Sequence, residues 1–197
     1  MTVEILILAA GASARMRGRD KLLEPVGGQP MIAHVVRMAL RTGCGVTLTL
    51  AADRPARQTA LAGLTVGRVI VPDPQRGMTA SLQAGLAVLP ASASVMVLLA
   101  DMPDLTTGDL TLVLDAARAH PDLILRACGT DGPPGHPVLF PPWVRPEIMA
   151  LQGDPGPREV LRRHRDRVRM IALPGLHATT DLDTPEDWAA WRRASGL

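Results

Sequence analysis

Residues 3–10 contain an unbroken apolar run, Ile5-Leu6-Ile7-Leu8-Ala9-Ala10, that leads directly into Gly11. A strand with apolar side chains on both alternating faces has to be covered on both sides, as happens when helices flank a parallel sheet. The run is far too short to cross a bilayer, and no basic region precedes it, so it reads as a buried strand and not as a leader. Similar runs recur at Val46–Leu50, Val66–Val71, Val95–Ala100, Leu123–Ala127 and Val168–Leu173. Between them lie segments with helical spacing: 28–42, Pro55–Leu61, 79–89, Thr106 or Thr107 to His120, 157–164 and Thr184–Arg193. This alternation predicts an α/β fold, a three-layer α/β/α sandwich with a mostly parallel, Rossmann-like sheet and right-handed crossovers.

Local chemistry sharpens several boundaries. Gly43 and Gly45 end the first helix. A hydroxyl at or near Thr79 is expected to cap the helix 79–89. Thr106 or Thr107 can cap the helix running to His120, Asp104 is a candidate for a helix or turn cap, and Pro185 suits the first turn of the last helix. The rhythm loosens from Gly129 to Pro146, where Val138-Leu139-Phe140 is the only strand-like run and reads as an excursion from the main sheet. No repeat and no long linker appears, so residues 1–197 read as one domain.

Composition removes several functional classes. Hydrophobic residues make up 47% of the 197, which excludes a disordered chain. Aromatic residues reach only 2%, with no Tyr, so stacking platforms for single-stranded nucleic acid are out of reach. A net charge of +2 is too mild for a general nucleic-acid binder but suits a local pocket for anions. No nucleic acid and no membrane are expected as partners. Cys44 and Cys128 form no disulfide framework, which fits reduced thiols in a cytoplasmic protein. The five histidines have no zinc-site spacing.

The chemistry concentrates at strand ends. After the first strand, Gly11 offers dihedrals closed to other residues and lets backbone amides approach phosphate oxygens. Arg15 supplies a planar fork of donors and Lys21 a flexible point charge. Both suit the charge of a triphosphate under attack. The loop is neither the dinucleotide fingerprint nor a Walker-type loop; a solvated surface loop is the competing reading. Asp101 ends the apolar strand Leu98-Leu99-Ala100, where a lone carboxylate suits Mg²⁺ shared with substrate phosphates. Asp181 and Asp183 lie near the C-terminal end, and helix-start chemistry ahead of Pro185 is the alternative for either.

Leu8-Ala9-Ala10-Gly11-x-Ser13-x-Arg15-Met16, followed by Lys21, resembles the signature of the molybdenum-cofactor nucleotidyltransferases, within the nucleotide-diphospho-sugar transferase fold. Asp101-Met102-Pro103, Gly135-His136-Pro137, Gly153-Asp154-x-Gly156-x-Arg158 and Asp181-Leu182-Asp183-Thr184-Pro185-Glu186-Asp187 resemble further segments of that family. The match runs from residue 6 to about residue 188. The resemblance implies that Leu8, Ala9, Ala10, Gly11, Ser13, Arg15, Lys21, Gly77, Ser81 and Asp101 bind the nucleotide. It implies catalytic roles for Arg15, Lys21 and Asp101, Mg²⁺ on Asp101 and Asp183, and an acceptor held by His136 and Arg158. Two departures stand out. Five residues separate Arg15 from Lys21 where the family has four, and Gly132-Pro133-Pro134 precedes Gly135 where an Arg is usual.

The reaction so implied is transfer of CMP from CTP to the terminal phosphate of molybdenum-molybdopterin, giving a cytosine dinucleotide and pyrophosphate. The methyls of Ala9 and Ala10 crowd the base and favour a pyrimidine. The same resemblance leaves room for a guanylyltransferase using GTP, a cytidylyltransferase for another small phosphate, or a non-catalytic cofactor carrier. Transient contact with a molybdoenzyme maturation chaperone is a further expectation. The arginines at 162, 163, 165, 167 and 169 read as a solvated face or as a surface for an acidic partner.

Overall fold

The structure, a computed structural model, describes residues 1–130, 132–153 and 156–196. In chain order it comprises β1 (Val3–Ala9), β2 (Pro25–Val26), β3 (Gln29–Pro30), α1 (Met31–Leu40), β4 (Gly45–Ala51), α2 (Pro55–Ala60), β5 (Gly67–Val71), α3 (Met78–Val88), β6 (Ser94–Leu99) and α4 (Thr107–Ala119). It continues with β7 (Ile124–Gly129), β8 (Pro134–Phe140), α5 (Arg145–Ala150), α6 (Gly156–Arg163), β9 (Val168–Leu173) and α7 (Pro185–Ser195).

Seven strands form one sheet in the order β5-β4-β1-β6-β8-β7-β9, and β2 and β3 form a separate hairpin. The parity of β1 explains the three layers. Ile5, Ile7 and Ala9 pack with Ile32, Val36, Leu110, Val113 and Trp188 on one face. Leu6 and Leu8 pack with Leu82, Leu86, Ile148 and Val160 on the other. Each such aliphatic side chain contributes roughly 1.5–3 kcal/mol by leaving water, so both faces hold β1 in place.

Three expectations are corrected. The first helix begins at Met31, not at residue 28, because Gln29–Pro30 pairs with Pro25–Val26 across a turn in which Gly27 and Gly28 both have positive φ. Val138–Phe140 is no excursion. As β8 it runs antiparallel between β6 and β7, with Leu139 buried on one face and Val138 and Phe140 on the other. The Gly and Pro around it hid a strand that is central to the sheet. The caps also differ. Gly77, not a hydroxyl, precedes α3, and the Thr79 hydroxyl is buried without a partner. Thr106 caps α4 as expected, in a capping box with Asp109, but Asp104 caps nothing there and accepts a hydrogen bond from Trp191 Nε1 at 2.7 Å.

The chain leaves β1 for β4 and β5 on one side and returns to β6 on the other. The carboxyl ends of β1 and β6 therefore flank a topological switch point, the usual ligand crevice of an open α/β sheet. Their register pairs Leu8 with Leu99, so the loop after Ala9 and the turn holding Asp101 emerge side by side. No helix among the described residues is long and apolar enough to cross a membrane.

Candidate active site

Two adjoining cavities open at this edge of the sheet. One, of about 490 Å³, is lined by Leu8, Ala9, Ala10, Gly11, Arg15, Lys21, Gly77, Ser81, Asp101 and Asp183. The other, of about 310 Å³, is lined by Arg126, Gly135, His136 and Arg158 among others. Met78, Leu99 and Asp181 line both. The residues expected at the nucleotide thus gather in one cavity, apart from Ser13, and the two expected at the acceptor gather in the other. Asp154 lies outside the described residues.

The loop from Ala10 to Asp20 is held from behind by Arg57 of α2, a residue without apparent signal in the sequence. Its side chain is wholly buried. The guanidinium forks both oxygens of Asp20, at 2.8 and 2.9 Å, and donates to the Ala9 carbonyl at 2.6 Å and to Ser13 Oγ at 3.1 Å. Burial opposes the charge of Asp20, but the hydrogen bonds and charge of Arg57 outweigh it and hold that carboxyl below its usual range. Asp20 also accepts from the amide of Leu22, beginning the short turn that carries Lys21.

This corrects two expectations. The Ser13 hydroxyl is spent on Asp20 and Arg57 and does not line the cavity. The left-handed residues of the loop are Ser13, Arg17 and Gly18, not Gly11. At Gly11 a Cβ would meet open space, so its smallness leaves room beside the loop.

Asp101 and Asp183 are 82 positions apart in sequence. They are joined when the amide of Leu182 donates to the Asp101 carbonyl at 3.3 Å. Leu182 itself is buried in the core. Beyond it, Thr184 and Asp187 form a capping box for α7, with Pro185 in its first turn as expected. The Lys21 ammonium bridges the carboxylates, in contact with Asp101 Oδ2 and 2.7 Å from Asp183 Oδ1. Arg15 Nη2 lies 2.5 Å from Asp183 Oδ2. Burial disfavours the Lys21 charge, yet Asp101 and Asp183 overcome this and raise its pKa. Burial, with Asp101 and Asp183 nearby, raises that of Asp181.

The donor set fits a hard divalent cation. Asp101 Oδ1 is buried without a hydrogen-bond partner, and an orphaned carboxylate oxygen is costly unless something cationic satisfies it. Among the described residues no group of three or more His, Cys, Asp and Glu side chains is set to hold an ion alone. Mg²⁺ tolerates this, since it completes its shell with water and phosphate.

In the second cavity, Gly135 packs so closely on the turn beside it that a Cβ would stand 1.8 Å from the Ala178 carbonyl oxygen. The amide of His136 donates to that same oxygen at 2.9 Å. The Gly-His pair thereby fastens the segment leading to Asp181 and Asp183. Burial lowers the His136 pKa to about 4, with Arg126 and Arg158 adding to the shift, so the ring is neutral near pH 7. Arg126, which sequence reading overlooked, donates to the carbonyls of Pro134 and Gly135 at 3.3 Å each. Burial and the charge of Arg158 lower its pKa. The arginines of the later segment pair on the surface: Arg162 and Arg163 with Glu159, and Arg163 with Glu147.

A family model described as the MobA-like NTP transferase domain matches residues 5–168. Nicotine blue oxidoreductase of Paenarthrobacter nicotinovorans is 30% identical over 188 residues, 92% of each chain. The bifunctional protein GlmU of Agrobacterium fabrum is 33% identical over 139 residues, 68% of this chain, and the chain spans about a third of that relative's length. Rv0371c of Mycobacterium tuberculosis H37Rv superposes with a TM-score of 0.86 at 29% identity, covering 98% of this chain and 99% of its own; it has also been crystallised with manganese.

Proposed function

The chain belongs to the MobA-like NTP transferase family, and we propose from that premise that it transfers CMP from CTP to the terminal phosphate of a molybdopterin-type acceptor. One observation carries the reading. At the mouth of a nucleotide-sized cavity, two carboxylates from distant segments meet Lys21 and Arg15, all within hydrogen-bond reach. That arrangement matches the needs of phosphoryl-type transfer, where positioning and charge stabilisation account for most of the catalysis.

The cavity after β1 takes the nucleotide. Gly11 leaves space at the loop, and Gly77 and Ser81 line the wall where α3 begins. The methyls of Ala9 and Ala10 are buried in packed apolar clusters and do not crowd the base, so the choice of CTP rests on the likeness of Leu8-Ala9-Ala10-Gly11 to the cytidylyl members of the family. Arg15 and Lys21 stabilise the charge that develops on the transferring and leaving phosphates. Asp101 and Asp183 would hold Mg²⁺, which when bound neutralises charge on phosphoryl oxygens.

The acceptor lies in the second cavity, where Arg158 and Arg126 attract its phosphate and neutral His136 offers a hydrogen bond. An acceptor phosphate oxygen attacks the α-phosphorus; the new P–O bond forms as the bond to the β-phosphate oxygen breaks, and pyrophosphate leaves. A phosphate monoester has its second pKa near ~6, so the acceptor is already ionised and no general base is needed. The cytoplasm, with its reduced thiols and nucleoside triphosphates, is part of this reading. So is transient handover through a molybdoenzyme chaperone.

The test is pyrophosphate release with each nucleoside triphosphate in turn, with Mg²⁺ and molybdenum-loaded molybdopterin. Turnover confined to CTP is expected, and Asp101→Ala should abolish it while leaving the far-ultraviolet dichroism unchanged. A preference for GTP would overturn the base assignment, and near-normal rates in Asp101→Ala would overturn the metal assignment. The likeness to nicotine blue oxidoreductase along nearly the whole chain favours a second reading, reduction of a small heteroaromatic compound. Consumption of a reduced nicotinamide in place of pyrophosphate release would select it.

A further inference from the structure

Lys21 is the only lysine in the chain; the other twenty strongly basic residues are arginines. Wherever the surface carries a strong cation, it is arginine. Only at the centre of the carboxylate pair does lysine stand. Its ammonium and the Arg15 guanidinium engage three of the four carboxylate oxygens of Asp101 and Asp183. The fourth oxygen, Asp101 Oδ1, is buried and unpartnered. The Lys21 side chain is only 13% exposed, and its two partners are nearly as enclosed, at 14% and 20%. An ammonium and a divalent cation would compete for these same oxygens in this confined space.

We propose that Lys21 is an internal stand-in for the divalent ion: it neutralises Asp101 and Asp183 before substrate arrives and has to leave them for the ion to bind. The inference rests on the nucleotidyltransferase reading in one respect, that the triphosphate offers the displaced ammonium its next acceptor. Arginine would serve poorly here. Its planar fork would clamp the carboxylates through two parallel bonds, whereas lysine presents a compact charge on a flexible stem with freely rotating donors. The ammonium can therefore move from carboxylate to phosphate by rotations about its own stem. Metal and nucleotide binding then become positively coupled, since each removes an obstacle to the other.

Because the chain has a single lysine, protein grown with ¹³Cε-lysine gives one side-chain signal to follow by nuclear magnetic resonance. Saturating Mg²⁺ should move that signal. Binding of Mn²⁺, followed by the electron paramagnetic resonance of the free ion, should be at least tenfold tighter in Lys21→Met than in the wild type without nucleotide. Lys21→Arg should bind no tighter than the wild type. An α,β-methylene analogue of CTP should tighten Mn²⁺ binding to the wild type more than to Lys21→Met.

Equal or weaker Mn²⁺ binding by a folded Lys21→Met protein would overturn the proposal. So would a lysine signal that stays fixed while Mg²⁺ saturates the wild type, and this second measurement decides the matter if the variant does not fold. Competition between Lys21 and the ion with no response to any nucleoside triphosphate would overturn the nucleotidyl reading and leave the stand-in role intact.

Discussion

Replacing Arg57 by Met tests whether the loop after β1 depends on a buried ion pair behind it. Met keeps much of the apolar stem and removes the guanidinium. The structure then leaves Asp20, whose side chain is only 11% exposed, without its forked partner, and leaves the Ala9 carbonyl without its donor. Removing one partner of a buried ion pair costs about 3–5 kcal/mol, because the other charge stays enclosed. In a chain of this size about 1 kcal/mol shifts the midpoint by about 2–4 °C, so Arg57→Met should melt roughly 6–20 °C below the wild type. Urea unfolding followed by the fluorescence of buried Trp188 gives the free energy directly. A second substitution, Asp20→Asn, should recover part of the loss when added to Arg57→Met, though alone it is destabilising; the two sites share one network and cannot be additive. A loss under about 1 kcal/mol in Arg57→Met, or strict additivity in the double variant, would refute the view that this pair fastens the loop.

Two other perturbations probe the second cavity. The His136 pKa falls from 6.5 to about 4 on folding, so its contribution is fully present above pH 6.5 and is lost as the pH drops towards 4. At about 1.4 kcal/mol per pKa unit this amounts to roughly 3 kcal/mol. His136→Gln should flatten the stability profile in that window, and an unchanged profile would show that another group is responsible. In Gly135→Ala the new methyl would collide with the backbone oxygen of Ala178, which no side-chain rotation relieves. A destabilisation of about 1–3 kcal/mol is expected from overpacking, together with weaker Mn²⁺ binding as the segment carrying Asp183 shifts. Wild-type stability and metal affinity in that variant would contradict the fastening role of the Gly-His pair.

Much of the scaffold was legible along the chain. The apolar run at Ile5–Ala10 gave a strand covered on both faces because side chains alternate with a period of two, and parity then assigns Ile5, Ile7 and Leu6, Leu8 to opposite layers. Thr184-Pro185 announced the last helix through cap chemistry confined to four neighbouring residues. The loop residues Ala9 to Gly11, with Arg15 and Lys21, carried a pattern dense enough to place them along one cavity. These features depend on interactions between near neighbours, which sequence spacing records.

The remaining features depend on which strands lie side by side, and no local pattern states that. Pro and Gly flanking β8 obscured a strand that only its two partners in the sheet define. Resemblance alone favours Asp183 over Asp181, and it is the Leu182–Asp101 backbone bond that brings Asp183 to Lys21. Arg57 looked like one arginine among twenty, since nothing near it in sequence reveals that folding encloses it beside Asp20 and Ala9. The layers, and the chemistry available at the strand ends, follow from spacing and residue type along the chain. Which charges meet is settled by the folded arrangement, because burying a guanidinium or an ammonium is tolerable solely where distant carboxylates and carbonyls converge to satisfy it.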